Sequence, residues 1–141
     1  MKAKTLIAII AIASIGLLAA CGGAGDSASG MKKIMDKKVN DNLTVAISNA
    51  EGKLKNGSQD IMLSFTDGAG NPVEISAASL NFNMPAMGSM AEMNDPATLS
   101  TTSTPGEFKG KVNVQMAGEW IAQISYEGKE TGKTTMTVTA Y

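Results

Sequence analysis

The sequence contains no histidine, a single cysteine and only 4% aromatic residues. Without histidine there is no imidazole base, no Ser-His-Asp triad and no His-ligated metal site. One cysteine cannot form an intramolecular disulfide, so an exported domain must be held by its core. Neither sign of charge is in excess, with 12 basic and 13 acidic residues giving a formal net charge of −1. No basic stripe is available to grip phosphates, which excludes nucleic acid as a partner. With no nucleophile–base pair in sight either, the expectation is a binding protein and not an enzyme.

The N-terminus carries the most specific pattern. Lys2 and Lys4 precede an uncharged, mostly apolar run from Thr5 to Ala20, followed by Cys21. The run is short for a membrane span, which needs about 20 apolar residues, but it fits the apolar stretch of an export signal. Leu18-Ala19-Ala20-Cys21 resembles the lipobox of bacterial lipoproteins. That resemblance implies removal of residues 1–20, a lipid on the Cys21 sulfur, and anchoring of the chain to a membrane outside the cytoplasm. Residue 22 is glycine and not aspartate, which by the same resemblance favours the outer membrane in a cell that has one. Loss of the two signal lysines leaves ten basic against thirteen acidic residues, a mature charge of −3.

Residues 21–42 read as the lipidated cysteine and a flexible linker. Gly22 to Gly30 holds only Gly, Ala, Ser and one Asp, the composition of a flexible coil. In the next segment Met31, Ile34, Met35 and Val39 fall at i, i+3, i+4 and i+8, so a short helix with one apolar edge is the alternative to solvated linker. Its four lysines would then rest against an anionic membrane surface.

From residue 43 to 141 the period becomes two. Leu43, Val45 and Ile47 alternate with smaller or polar residues. The same alternation holds, with Met62 and Ile121 the large apolar exceptions on the other face, for Ile61, Leu63 and Phe65; Leu80, Phe82 and Met84; Phe108, Val112, Val114 and Met116; Trp120, Ala122, Ile124 and Tyr126; and Thr134, Met136 and Val138. Each run offers one face to a core and one to water, as antiparallel strands do. Turn signals separate them, among them Asn56-Gly57, Asp67-Gly68, Asn94-Asp95-Pro96, Pro105-Gly106 and Glu127-Gly128. About seven short strands in one domain predict an all-β, immunoglobulin-like β-sandwich, with a small barrel as the alternative. Trp120, Phe65, Phe82 and Phe108 are the expected aromatic core, with Trp120 at its centre. Asp67, Asn71 and Asp95 are oxygen donors, but they sit beside Gly or Pro as turn residues do, and a calcium cage wants six to eight oxygens.

One segment departs from this regularity. Met84, Met87, Met90 and Met93 lie three apart in a stretch containing Pro85 and Gly88. Neither helix nor strand suits it, so the sequence predicts a loop. Methionine is flexible and can fill irregular gaps, so these residues would fold back over the core or form an adaptable docking surface. Thioether sulfur is also a soft, neutral ligand that selects Cu(I) over hard cations. Met87, Met90 and Met93 are therefore candidate Cu(I) ligands, with Met84 and Met116 as contributors that also continue core faces.

Several short motifs occur together: Gly70-Asn71-Pro72-Val73, Met84-Pro85-Ala86-Met87, Pro105-Gly106-Glu107-Phe108 and Met116-Ala117-Gly118-Glu119-Trp120. In this order and spacing they resemble the YtkA-like domain, which is related to FixH proteins, over residues 43–140. The resemblance implies an extracytoplasmic immunoglobulin-like fold found beside copper transport and cytochrome oxidase assembly components. It also implies Met84, Met87 and Met116 as the functional methionines. The expected function is a lipid-anchored envelope protein that chaperones or buffers Cu(I) near a metal-transport or oxidase-assembly protein. The alternative is a metal-free interaction module that docks on an envelope membrane complex through its methionine loop.

Overall fold

Strand formation follows the alternation of side chains and the pairing each strand finds. In the computed structural model, which describes residues 30–141, nine strands follow one another without any helix among the described residues. They are β1 (Lys32–Asn40), β2 (Leu43–Asn49), β3 (Gly57–Thr66), β4 (Ile75–Met84), β5 (Met93–Pro96), β6 (Thr98–Thr101), β7 (Glu107–Val114), β8 (Gly118–Gly128) and β9 (Gly132–Ala140). Residues 1–20, expected as an export signal, Cys21 and the glycine-rich stretch through residue 29 lie outside the described residues.

The strands form two antiparallel sheets, ordered β1-β2-β3-β7-β6 and β5-β4-β8-β9. Setting β1 aside, this is the immunoglobulin arrangement, with a four-stranded sheet facing a second sheet that carries one extra edge strand. The sandwich is thus the outcome and not the small barrel. The chain changes sheet between β5 and β6, with only Ala97 between them. Buried side chains come from the inward positions of both sheets: Val45, Ile47, Ile61, Leu63 and Phe65 on one side, Leu80, Phe82, Trp120, Ala122 and Ile124 on the other. Phe65, Phe82, Phe108 and Trp120 are all buried. Phe65 meets Phe108 edge-on at 6.2 Å and Tyr126 at 5.5 Å, near the end of the sandwich where β3 stops and β7 begins. Trp120 lies at the opposite end, three residues into β8, so it closes one mouth of the core and does not fill its centre.

Residues 32–40 correct the sequence expectation. They are neither linker nor helix but the edge strand β1, paired with β2 from Lys32↔Asn49 to Asn40↔Leu43. The domain therefore begins before residue 43. The register slips between Lys33 and Met35, a β-bulge that puts two residues opposite one. That bulge breaks the period of two and mimics a helical spacing. It leaves Ile34, Met35 and Val39 half-buried against the core. An isolated helix this short would be marginal, whereas the free edge of β2 satisfies the backbone of β1 at once.

The other sheet's open edge is covered. On β9 the Thr135 carbonyl accepts the Lys37 ammonium at 2.8 Å, and Tyr141 exchanges backbone hydrogen bonds with Leu54 and Asn56 at 2.9 Å. Exposed lysines on β1 protect its own free edge against pairing with another chain.

Candidate metal centre

The methionine segment resolves into a hairpin. Pro85 has no N–H to offer, which weakens pairing just beyond β4. Two residues further the strands meet again: the Met87 N–H donates to the Met90 carbonyl at 3.1 Å and the Met90 N–H to the Met87 carbonyl at 2.9 Å. Gly88 and Ser89 form the two-residue turn, with Gly88 at φ 57°, the positive value that tight hairpin turns require. The expected loop thus keeps its turn but loses its last residues to β5. Asn94-Asp95-Pro96, expected as a turn, is strand.

This geometry gives the three-residue spacing a meaning. In one antiparallel register, Met84 lies opposite Met93 and Met87 opposite Met90. The four residues make two cross-strand rungs, separated along the hairpin by about 10 Å if the chain is extended. The rungs have different surroundings. Met84 is 3% exposed and belongs to the core, and Met93 is half-buried against it. Met87 is 60% exposed and Met90 42%, the only large apolar side chains besides Tyr141 that stand open among the described residues. The structure brings Met87 and Met90 together and sets them apart from Met84 and Met93.

Met116 joins the inner rung's side of the hairpin. It sits between β7 and β8, half-buried against the core. Gly118, two residues on, lies so close to Met84 that a Cβ there would stand 3.0 Å from the Met84 methyl. Three hydrogen bonds fix the Met116 segment. The buried Asp95 carboxylate accepts the Gln115 backbone N–H at 2.9 Å and the Gln115 side-chain amide at 2.5 Å. The Trp120 indole N–H donates to the Met116 carbonyl at 3.0 Å. Asp95 thereby ties β5 to the end of β7, across the gap between the two sheets. It was expected in a turn, and nothing local in Asn-Asp-Pro announces a partner twenty residues away.

The stem of the hairpin is stiffened on its outer face by carboxamides. Asn83 donates to Glu92 at 2.5 Å and to Asn94 at 3.1 Å, while Asn81 donates to Asn94 at 2.9 Å and Gln123 at 3.1 Å. Among the described residues, no such side-chain tie reaches the Gly88-Ser89 turn above this stem.

The turn carboxylate of Asp67 is committed to structure. Asp67 accepts backbone N–H groups of Asn71 and Ala69, each at 2.9 Å. The Asn71 N–H above all holds its carboxyl below the usual range. No group of three His, Cys, Asp or Glu side chains converges among the described residues. The large side chains that stand open at the hairpin tip are the thioethers of Met87 and Met90, which suit a soft monovalent ion and not calcium or zinc.

The sequence profile of the YtkA-like family matches residues 37–125. No curated protein sequence matches the chain. Among solved structures, selenomethionine PcoC, a copper resistance protein from Escherichia coli, is similar at 16% identity. The alignment covers 62% of this chain and 86% of that one, with a TM-score of 0.39.

Proposed function

The chain belongs to the YtkA-like family, and on that footing we propose that it is a lipid-anchored extracytoplasmic protein that binds Cu(I) through the methionine hairpin, as a chaperone or buffer. The observation that carries this reading is the exposed pair Met87 and Met90, held opposite each other by a two-residue turn. Core packing does not account for side chains left 60% and 42% exposed. Met93, half-buried on the next rung, is the more accessible of the further thioethers there, and Met84 opposite it is packed in the core. The partner that would deliver or receive copper is an envelope metal-transport or oxidase-assembly protein. Binding, and not catalysis, is the activity we assign.

Cu(I) titration of the protein under reducing conditions tests the metal reading. Thioethers do not titrate, so the affinity should be nearly flat between about pH 5 and 8, where a histidine site would weaken on the acid side. Cu(II) and Zn(II) should bind poorly, with no imidazole and no thiolate in the site. Absence of Cu(I) binding would transfer the hairpin to the second reading, an interaction module. The same exposed, flexible side chains favour it, since methionine surfaces repack against varied partners.

Anchoring is tested separately. Cys21→Ser should abolish lipid labelling and move the protein from the membrane fraction to the soluble one. Retention of that variant in the membrane would defeat the lipoprotein reading, because firm anchoring relies on acyl chains attached at one residue.

A further inference from the structure

The nine methionines among the described residues differ sharply in access to solvent, and the difference falls on the proposed site. Met62 and Met84 are 3% exposed and Met136 5%, whereas Met87 and Met90 stand open at the hairpin tip. Thioether oxidation follows exposure, because the oxidant must reach the sulfur. We infer that Met87 and Met90 are a paired oxidation site, and that their conversion to sulfoxide switches off soft-metal binding while the domain stays folded. This rests on the Cu(I) reading above and adds a regulation to it.

The reaction needs a two-electron oxidant of the peroxide class. The methionine sulfur attacks one peroxide oxygen, the O–O bond breaks, and that oxygen remains as S=O. Its proton joins the departing hydroxide to give water. Sulfur loses two electrons and the peroxide gains them. The product presents a hard, polar oxygen where a soft donor stood, so it no longer matches Cu(I).

Position decides why folding should survive. The turn is closed by backbone hydrogen bonds between Met87 and Met90, in which sulfur takes no part. A sulfoxide at the exposed tip needs no burial of its polar group. At Met84 the same change would place an unsatisfied oxygen in the core. Conversely, a metal held by the two sulfurs occupies the lone pairs the peroxide needs, so each event should suppress the other, as linkage requires.

The test exposes the full chain to limiting hydrogen peroxide and maps sulfoxides by peptide mass spectrometry. Ag(I), a soft ion that does not cycle with peroxide, serves as the metal probe. Met87 and Met90 should oxidise on the order of tenfold faster than Met62, Met84 and Met136. The product should keep its melting temperature and lose Ag(I) affinity by about 10–100-fold. Ag(I) added before peroxide should protect the same two residues. Equal oxidation of buried and exposed methionines, or unchanged Ag(I) affinity after selective oxidation, would overturn the switch. If the unoxidised protein binds neither Ag(I) nor Cu(I), the metal reading itself falls and takes the switch with it, a result distinct from the other two.

Discussion

Trp120→Ala is expected to lower stability by about 3–5 kcal/mol, the range for truncating large core aromatics. The indole is fully buried at the methionine end of the sandwich, opposite Val138 on β9. Its removal opens a cavity there. It also strips the Met116 carbonyl of the indole N–H that now satisfies it at 3.0 Å. A domain of this size has about 5–15 kcal/mol in total and here no disulfide to help. The variant should therefore unfold at markedly lower urea concentration and temperature, followed by circular dichroism. Trp120→Phe separates the two contributions: it keeps most of the apolar volume but not the hydrogen bond, and should lose about 1–3 kcal/mol. A Trp120→Ala protein with the wild-type midpoint would contradict the burial on which this sandwich depends.

The strands legible in the sequence are those with long stretches of alternation, whether inside a sheet or, like β9, at its edge. β2, β3, β4, β7, β8 and β9 all contain runs in which the inward residues are apolar and the outward ones, Met62 and Ile121 apart, polar or small. The three strands that escaped notice are edge strands: β1, β5 and β6 each pair with one neighbour only. Their residues need satisfy a ladder on one side, so the local composition is loosely constrained. In β1 a bulge broke the alternation. In β5 a proline and two Asx residues carried the signature of a turn, yet Pro96 is harmless at the end of an edge strand. In β6 only Leu99 is apolar, and four residues are too few to show a period.

The methionines of the candidate site stand out in the sequence, but their arrangement does not. Methionines three apart announce that something other than helix or strand is intended. They do not reveal that residues summing to one register will face each other, Met84 with Met93 and Met87 with Met90. That follows only once Gly88 is placed in the turn. The grouping of Met87, Met90 and Met93 as one set of ligands accordingly becomes an exposed pair with a half-buried third. The Asp95–Gln115 clamp and the Trp120–Met116 bond were not foreseeable, because each joins segments that meet only after the two sheets have packed.

That arrangement sharpens the decisive substitution. Met87, Met90 and Met93 replaced together by leucine should lose Cu(I) binding while the fold is retained. Leucine matches methionine closely in volume and apolarity, and swaps of this kind usually cost less than about 1.5 kcal/mol even in a core. Here two of the three positions are open to solvent, so the stability change should fall well below that limit. What leucine lacks is the sulfur lone pair, and with it any donor for a soft ion. The pair variant, Met87→Leu with Met90→Leu, should account for most of the loss, because those two sulfurs are the ones already opposed and accessible. Met93→Leu alone should weaken binding less. Should the triple variant take up Cu(I) as tightly as wild type, with an unchanged melting curve, the hairpin methionines are not the ligands. The inner residues Met84 and Met116 would then have to leave the packing that now holds them for any thioether site to exist at this end.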